Sequence, residues 1–319
     1  MTIQLFTEMP PLTGAQPGPA RTRTAALISQ DNGVGLSVDM DLLDSFLTTA
    51  GYRVIRVNWR NALMPRVDLG VFLELYSHRL AGYASKRIGI FNPEWFMPQW
   101  RVYLPTLDQL WAKSHQAVEL FSNQKLPVHY TGFLTRDFGR ATGQQPRAVH
   151  LMGRSEMKNT AAVIEAWTRY PDLPPLTIIT SKSVAAPRHI TVLGRLSDQD
   201  LRHQLATARF HICPSRAEGW AHYISEALTL GAHVVTTDAS PMNEHVHPEW
   251  GSLIRPYGAR RRFQVHEYDV DPEDIAAAVR RAAALDDTVL DAQGDKARAH
   301  ALARNDAFKN TALGLLEKL

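Results

Sequence analysis

Residues 208–237 constrain the fold more than any other stretch. Ala208-Arg209-Phe210-His211-Ile212-Cys213 is an apolar run of strand length, and Ala232-His233-Val234-Val235-Thr236-Thr237 is a second, rich in β-branched residues. Between them Pro214 to Gly219 marks a loop, the residues from Trp220 to Leu228 read as a helix, and Gly231 closes it. Strand, loop, helix and strand in that order make a parallel α/β unit. Open sheets of this class bind ligands at the carboxyl ends of their strands. Glu218 therefore falls in a ligand-facing loop, and Glu226 falls on the helix behind it.

The spacing of these two acids bears on chemistry. With residues 220–226 helical, the carboxylates lie about 10 Å apart at ~1.5 Å rise per residue, farther than most acid/base pairs that act on one glycosidic bond. That distance suits the two ends of a long polyol, because a carboxylate accepts paired hydroxyl donors. Between the ends, the helix N-terminus offers backbone N–H groups and a positive dipole to a diphosphate.

The segment Pro-Ser-x-x-Glu-Gly-Trp…Glu-Ala-Leu…Gly-Ala-His-Val-Val-Thr-Thr resembles the Glu-x7-Glu signature of the family 4 type of retaining glycosyltransferases. Flanking segments extend the resemblance. Leu151-Met152-Gly153-Arg154-Ser155-Glu156-Met157-Lys158-Asn159 is similar to that family's strand followed by Gly-Arg and Lys, and Val192-Leu193-Gly194-Arg195-Leu196 to its next strand end. Asp238 to Glu244 is similar to the loop and helix start that follow. In all, residues 148–256 are covered. Two departures stand out: Ala221 replaces a glycine of the family pattern, and His222 adds a titratable group.

The resemblance implies two Rossmann-like α/β domains facing each other across a cleft (the GT-B type), and a sugar moved from a nucleotide-diphosphate sugar. Glu218 would hold sugar hydroxyls, while Arg154 and Lys158 would bind the diphosphate and stabilise the departing charge. Glu226 would hold the ribose, with Gly153, Gly194, Gly219, Trp220, Ala221 and His222 around the donor. No required metal or other cofactor is expected. Asp39 with Asp41 and Asp269 with Asp271 form Asp-x-Asp pairs at expected helix starts, where acids favour the dipole.

The rest of the chain reads in order. Residues 1–22, with Pro10-Pro11 and Pro17-Gly18-Pro19, form an expected irregular arm. A first domain follows over 23–140. A strand from Thr24 to Ser29 leads into Gln30-Asp31-Asn32-Gly33-Val34-Gly35, a helix runs from Ser37 to Ala50, and a strand from Tyr52 to Val57. Gly33 and Gly35 resemble the glycine loop that brings backbone against the donor's phosphate. Further strands are expected over 67–75 and 87–91. The second runs into the aromatic loop Asn92-Pro93-Glu94-Trp95, where Asn92, Glu94 and Trp95 are candidate acceptor contacts, with His78 as a fourth. Residues 107–121, including Lys113, are expected as one helix.

A linker is expected at 141–147, a second domain at 148–300 and, by resemblance, a last helix at 301–319 crossing back to the first. The 319 residues suffice for two full cores. A lone cysteine, Cys213, excludes an internal disulfide and reads as a small buried hydrophobe. No apolar run approaches a membrane span, and the N-terminus lacks the pattern of a signal peptide. A cytoplasmic protein is therefore expected, with an inner membrane face as one place of work. The net charge of +3 does not of itself indicate nucleic acid. The dense run Arg260-Arg261-Arg262-Phe263 fits a solvated face or an anionic lipid, polysaccharide or nucleic-acid backbone.

The expected activity is transfer to a glycan or lipid-linked acceptor. Rival readings are glycosylation of hydroxymethylated DNA bases, a non-catalytic sugar-nucleotide or glycan-binding module, and a sugar-nucleotide epimerase of the same shape.

Overall fold

The computed structural model describes residues 22–33, 35–122 and 125–319. The expected N-terminal arm, apart from its last residue, lies outside them, as does Val34 of the glycine loop. The first domain contains β1 (Arg23–Ser29), α1 (Gly35–Thr49), β2 (Tyr52–Asn58), β3 (Val67–Leu73), α2 (His78–Ala81), β4 (Ala84–Ile90), β5 (Gln109–Ala112), α3 (His115–Phe121) and β6 (Val128–Tyr130). Its six strands are all parallel, in the order β2-β1-β3-β4-β5-β6. Strand β1 reads TAALIS inward, and Ala25 to Ile28 are completely buried between helices on both faces.

The expected helix over 107–121 is instead a strand and a helix. Gln109 to Ala112 are all buried and pair with β4 and β6, and Ser114 then caps α3 by accepting from the Ala117 amide at 3.1 Å. A four-residue apolar run joined to an amphipathic helix mimics one longer helix, and only pairing with its neighbours separates them.

The second domain contains β7 (Gln145–Gly153), α4 (Thr160–Arg169), β8 (Leu176–Thr180), β9 (Thr191–Leu193), α5 (Asp198–Thr207), β10 (Ala208–Cys213), α6 (His222–Thr229), β11 (His233–Thr237) and β12 (Gly251–Ile254). Its strands are also parallel, in the order β12-β11-β10-β7-β8-β9. The chain winds outward from β7 in one direction and from β10 in the other. The topological switch point therefore lies between β7 and β10, the strands that deliver Arg154 and Glu218.

The arginine-rich run forms an antiparallel hairpin, β13 (Gly258–Arg262) with β14 (Val265–Asp269). Helix α7 (Pro272–Ala283) follows. Asp271 caps it by accepting from the Glu273 amide at 2.8 Å, while Asp269 ends β14 and pairs with Arg216 at 3.0 Å.

Helix α8 (Asp287–Leu316) spans 30 residues and both domains. Leu290, Ala297 and Ala301 pack on the second domain, whereas Phe308, Ala312, Leu315 and Leu316 enter the first domain's core beside Leu27, Leu43 and Trp111. This last helix starts at Asp287, before residue 301. Gly294 allows the approach, since a Cβ there would lie 2.4 Å from the Gly231 carbonyl oxygen. Asn305 pins the crossover from Tyr130 to Gln145, its Nδ2 donating to Thr135 O at 2.9 Å and its Oδ1 accepting from Thr135 N at 2.8 Å.

Candidate active site

Two loops build the second-domain wall. After β10, Glu218 accepts from Ser215 Oγ at 2.5 Å and pairs with Lys158 Nζ at 2.6 Å. Lys158 comes from the loop after β7, in a single 3-10 turn capped by Ser155, and its ammonium sits 3.4 Å from the centroid of Tyr223. Tyr223 in turn shares a 2.5 Å hydrogen bond with Ser215. The acid and the base thus support each other in a half-buried setting, where ion pairs are screened less than in water.

Arg154 leaves the same β7 loop and reaches the first domain. Its guanidinium donates to Asn32 O at 3.4 Å, and a Cβ on Gly33 would lie 3.8 Å from Nη2. The glycine loop and Arg154 therefore face one another across the domains. Gly33 and Gly153 have φ of +66° and +57°, the left-handed region that favours glycine. Cβ atoms on Gly35, Gly153 or Gly194 would meet nothing within 4 Å, so backbone is open at all three.

The first-domain wall is a buried chain of polar groups. Asp39 of α1 accepts from Lys113 Nζ at 2.5 Å, and both side chains are nearly inaccessible, at 3% and 2%. Lys113 also donates to Asn92 Oδ1 at 3.0 Å, and Asn92 Nδ2 donates to Glu74 Oε2 at 3.2 Å. From the other domain, His222 Nε2 meets Asp39 Oδ1 at 2.6 Å. Gly219 abuts the same cluster, for a Cβ there would fall 2.4 Å from Asn92 Oδ1. Burial pushes the Asp39 carboxyl up, but Lys113 and His222 together outweigh it and hold it below its usual value.

Two further carboxyls show the opposite balance. Burial raises Glu94 to about 8, opposed by its own backbone hydrogen bond and reinforced by Glu218 and Glu74. Its Oε2 is buried without a hydrogen-bond partner among the described residues. Burial also raises Glu74 to about 7 against the pull of Lys113, with Asp39 adding to the rise. Glu74 has φ of +61°, strained backbone at the exit of β3, and such strain concentrates at functional sites.

Several sequence expectations require correction. Asp39 and Asp41 are not helix caps: Asp39 is the anion of a buried pair, and Asp41 pairs with Arg56 at 2.7 Å. Trp220 is 3% exposed and belongs to the interdomain packing, against Gly132, Phe133 and His245 and beneath Arg304 at 4.5 Å. Its bulk seats the start of α6 on the crossover. The candidate acceptor contact His78 is exposed and stacks on Tyr103 at 6.1 Å.

Other expected residues are placed as follows. Ala221 keeps a left-handed backbone, φ +66°, at the N-cap of α6 although it carries a Cβ. Glu226 is buried and accepts from Arg136 Nε at 2.6 Å, so the two signature acids have different cationic partners. Trp95 is half-exposed beneath the Arg262 guanidinium, 4.7 Å away. Arg260 and Arg262 both bind Glu267, at 2.5 and 3.0 Å, while the Arg261 side chain donates to Phe263 O at 3.3 Å. Burial pushes the Cys213 thiol up, as suits a packing residue.

Sequence reasoning missed Asp39, Lys113 and Glu74. The available signal was positional: Lys113 and Glu74 each follow an apolar strand run directly, where a strand's carboxyl end presents side chains to the cleft.

Comparison with known proteins agrees with this architecture. Residues 180–298 match the family model described as glycosyl transferases group 1. No curated protein matches the chain by sequence. Among solved structures, sucrose-phosphate synthase from Thermosynechococcus elongatus superposes with a TM-score of 0.72 at 13% identity, covering 93% of this chain and 98% of that one. A glycosyltransferase from Rickettsia africae gives 0.73 at 11%, covering 93% and 98%. HepE of Anabaena, in complex with UDP and glucose, gives 0.66 at 14%, covering 92% and 100%. The fold is that of the two-domain GT-B glycosyltransferases.

Proposed function

We propose that this chain is a retaining glycosyltransferase that moves a sugar from a nucleotide-diphosphate sugar to a hydroxyl of a glycan or lipid-linked acceptor. The observation that carries the reading is the Lys158–Glu218 pair at the switch point of the second sheet, with Gly219 against Asn92 of the opposite domain. In that role Glu218 orients the donor sugar's hydroxyls and Lys158 and Arg154 neutralise the diphosphate. Glu226 accepts the ribose hydroxyls in exchange for part of its contact with Arg136. Asn92 and Glu94 meet the acceptor, and Glu94, neutral below about pH 8, can both donate and accept a hydrogen bond.

The chemistry is a substitution with retention. The acceptor oxygen bonds to the anomeric carbon on the face from which the diphosphate leaves. The bond from that carbon to the phosphate oxygen breaks, its electron pair stays with the phosphate, and that phosphate takes the acceptor's proton. The charge that develops on the leaving group is what preorganised cations stabilise most effectively. No metal enters these steps, and the catalytic groups are the chain's own.

A panel of UDP-, GDP- and ADP-sugars, assayed for donor hydrolysis and transfer, tests the proposal. UDP-sugars come first because HepE was solved with UDP and glucose. Turnover of one donor is expected, reduced about 10²- to 10³-fold by Lys158→Ala, the scale for loss of one charge-stabilising group. Tight binding without turnover of any donor would point to a binding module, and an isomerised free sugar nucleotide to an epimerase.

A further inference from the structure

A second cleft opens on the first domain at the exits of β2 and β3. Its volume is about 350 Å³, and Trp59, Arg60, Asn61, Tyr76, His78 and Arg79 are among its lining. Strands β2 and β3 flank β1 in the sheet, so this cleft shares its edge with the loop that carries Gly33. It follows the same rule of ligand binding at strand carboxyl ends as the site above.

Its chemistry differs from that site. Neither Arg60 nor Arg79 has a carboxylate partner among the described residues, and no acidic residue lines the cleft. Two guanidiniums beside a histidine, left unneutralised, form a donor set for an anion, and arginine's planar fork matches phosphate or carboxylate. The walls are aromatic. Tyr76 and Tyr103 stack at 5.4 Å, His78 lies on Tyr103 at 6.1 Å, and the Arg60 guanidinium covers Trp59 at 5.3 Å. Tyr76 is locked in place by a 2.5 Å hydrogen bond between its hydroxyl and Thr106 Oγ1. The guanidiniums would receive the charge on a sugar ring, and Asn61 and Ser77 in the lining offer hydrogen-bonding groups to its hydroxyls.

We infer that this cleft binds an anionic sugar, one bearing a phosphate or a carboxylate, as part of the acceptor. The inference rests on the proposed transferase activity for the word acceptor, but the binding site stands on its own geometry. His78, which is exposed, takes its role here, in the lining of this cleft.

Calorimetric titration of the full chain with glucose 6-phosphate, glucuronic acid and glucose tests the inference, run in parallel on the double variant Arg60→Ser, Arg79→Ser. The wild type is expected to bind at least one anionic sugar about tenfold or more tighter than glucose, since charge-assisted contacts distinguish them. The arms identify phosphate or carboxylate as the recognised group. The double variant should lose that preference while keeping its melting temperature, because both arginines are exposed and unpaired. Equal binding of charged and neutral sugars, a preference that survives in the variant, or no binding of either anionic sugar overturns the inference. Titration of both proteins with UDP, GDP and ADP separates the two proposals. No binding of any nucleotide with anionic-sugar binding retained would refute the transferase reading alone, and nucleotide binding without anionic-sugar binding would refute only the cleft.

Discussion

Replacing Glu94 by glutamine should stabilise the protein at neutral pH. In the unfolded chain this carboxyl titrates near 4.5, and in the folded protein burial holds it at about 8. The folded state therefore binds the proton more tightly. Stability from this group is fully present below pH 4.5 and is lost as pH rises through 8. The span from 4.5 to about 8, at about 1.4 kcal/mol per pH unit, amounts to roughly 5 kcal/mol in all, of which about 3 kcal/mol is already lost by pH 7. Glutamine has the shape of the neutral carboxyl and no proton to release. Glu94→Gln should thus match the wild type near pH 4.5 and exceed it by about 3 kcal/mol at pH 7. Urea unfolding followed by tryptophan fluorescence at pH 5, 7 and 8.5 measures the difference. Glu74, raised to about 7, adds a slope of the same sign, so the double change with Glu74→Gln should flatten the profile further. Unfolding free energies that run parallel in the two proteins across this range would mean Glu94 is ionised in the folded state, and the reasoning would fail.

Two other outcomes follow from the same geometry. Lys113→Ala leaves the Asp39 carboxylate buried with only the contact to His222, and should cost about 3–5 kcal/mol in urea unfolding, far more than removal of an exposed lysine such as Lys296. Ala221→Gly relieves a left-handed backbone that carries a Cβ, and should raise stability by about 1 kcal/mol without loss of donor turnover; a fall in melting temperature would contradict the strain.

Much of the fold was legible because its information is local. The apolar runs at β1, β2, β7, β10 and β11 are separated by helices, with ends marked by glycine or a Ser cap at Gly51 and Ser197. The strand-loop-helix-strand pattern put Glu218 at a strand exit, and the family resemblance put Lys158 after another. The run over 107–121 was misread because periodicity cannot tell a four-residue buried strand from the first turn of a helix. The charge on Arg260 and Arg262 was equally ambiguous until hairpin pairing put Glu267 beside them.

By itself, then, the sequence determined a two-domain parallel α/β chain with a pair of acids in one crossover and a basic turn beside them. Only the tertiary structure decided that Asp39, Lys113, Asn92 and Glu74 meet, and that His222 joins them from the other domain. Those residues lie up to 183 positions apart, and no local pattern encodes their contact. Their protonation depends on burial and neighbours, quantities that exist only once two sheets have closed on one another.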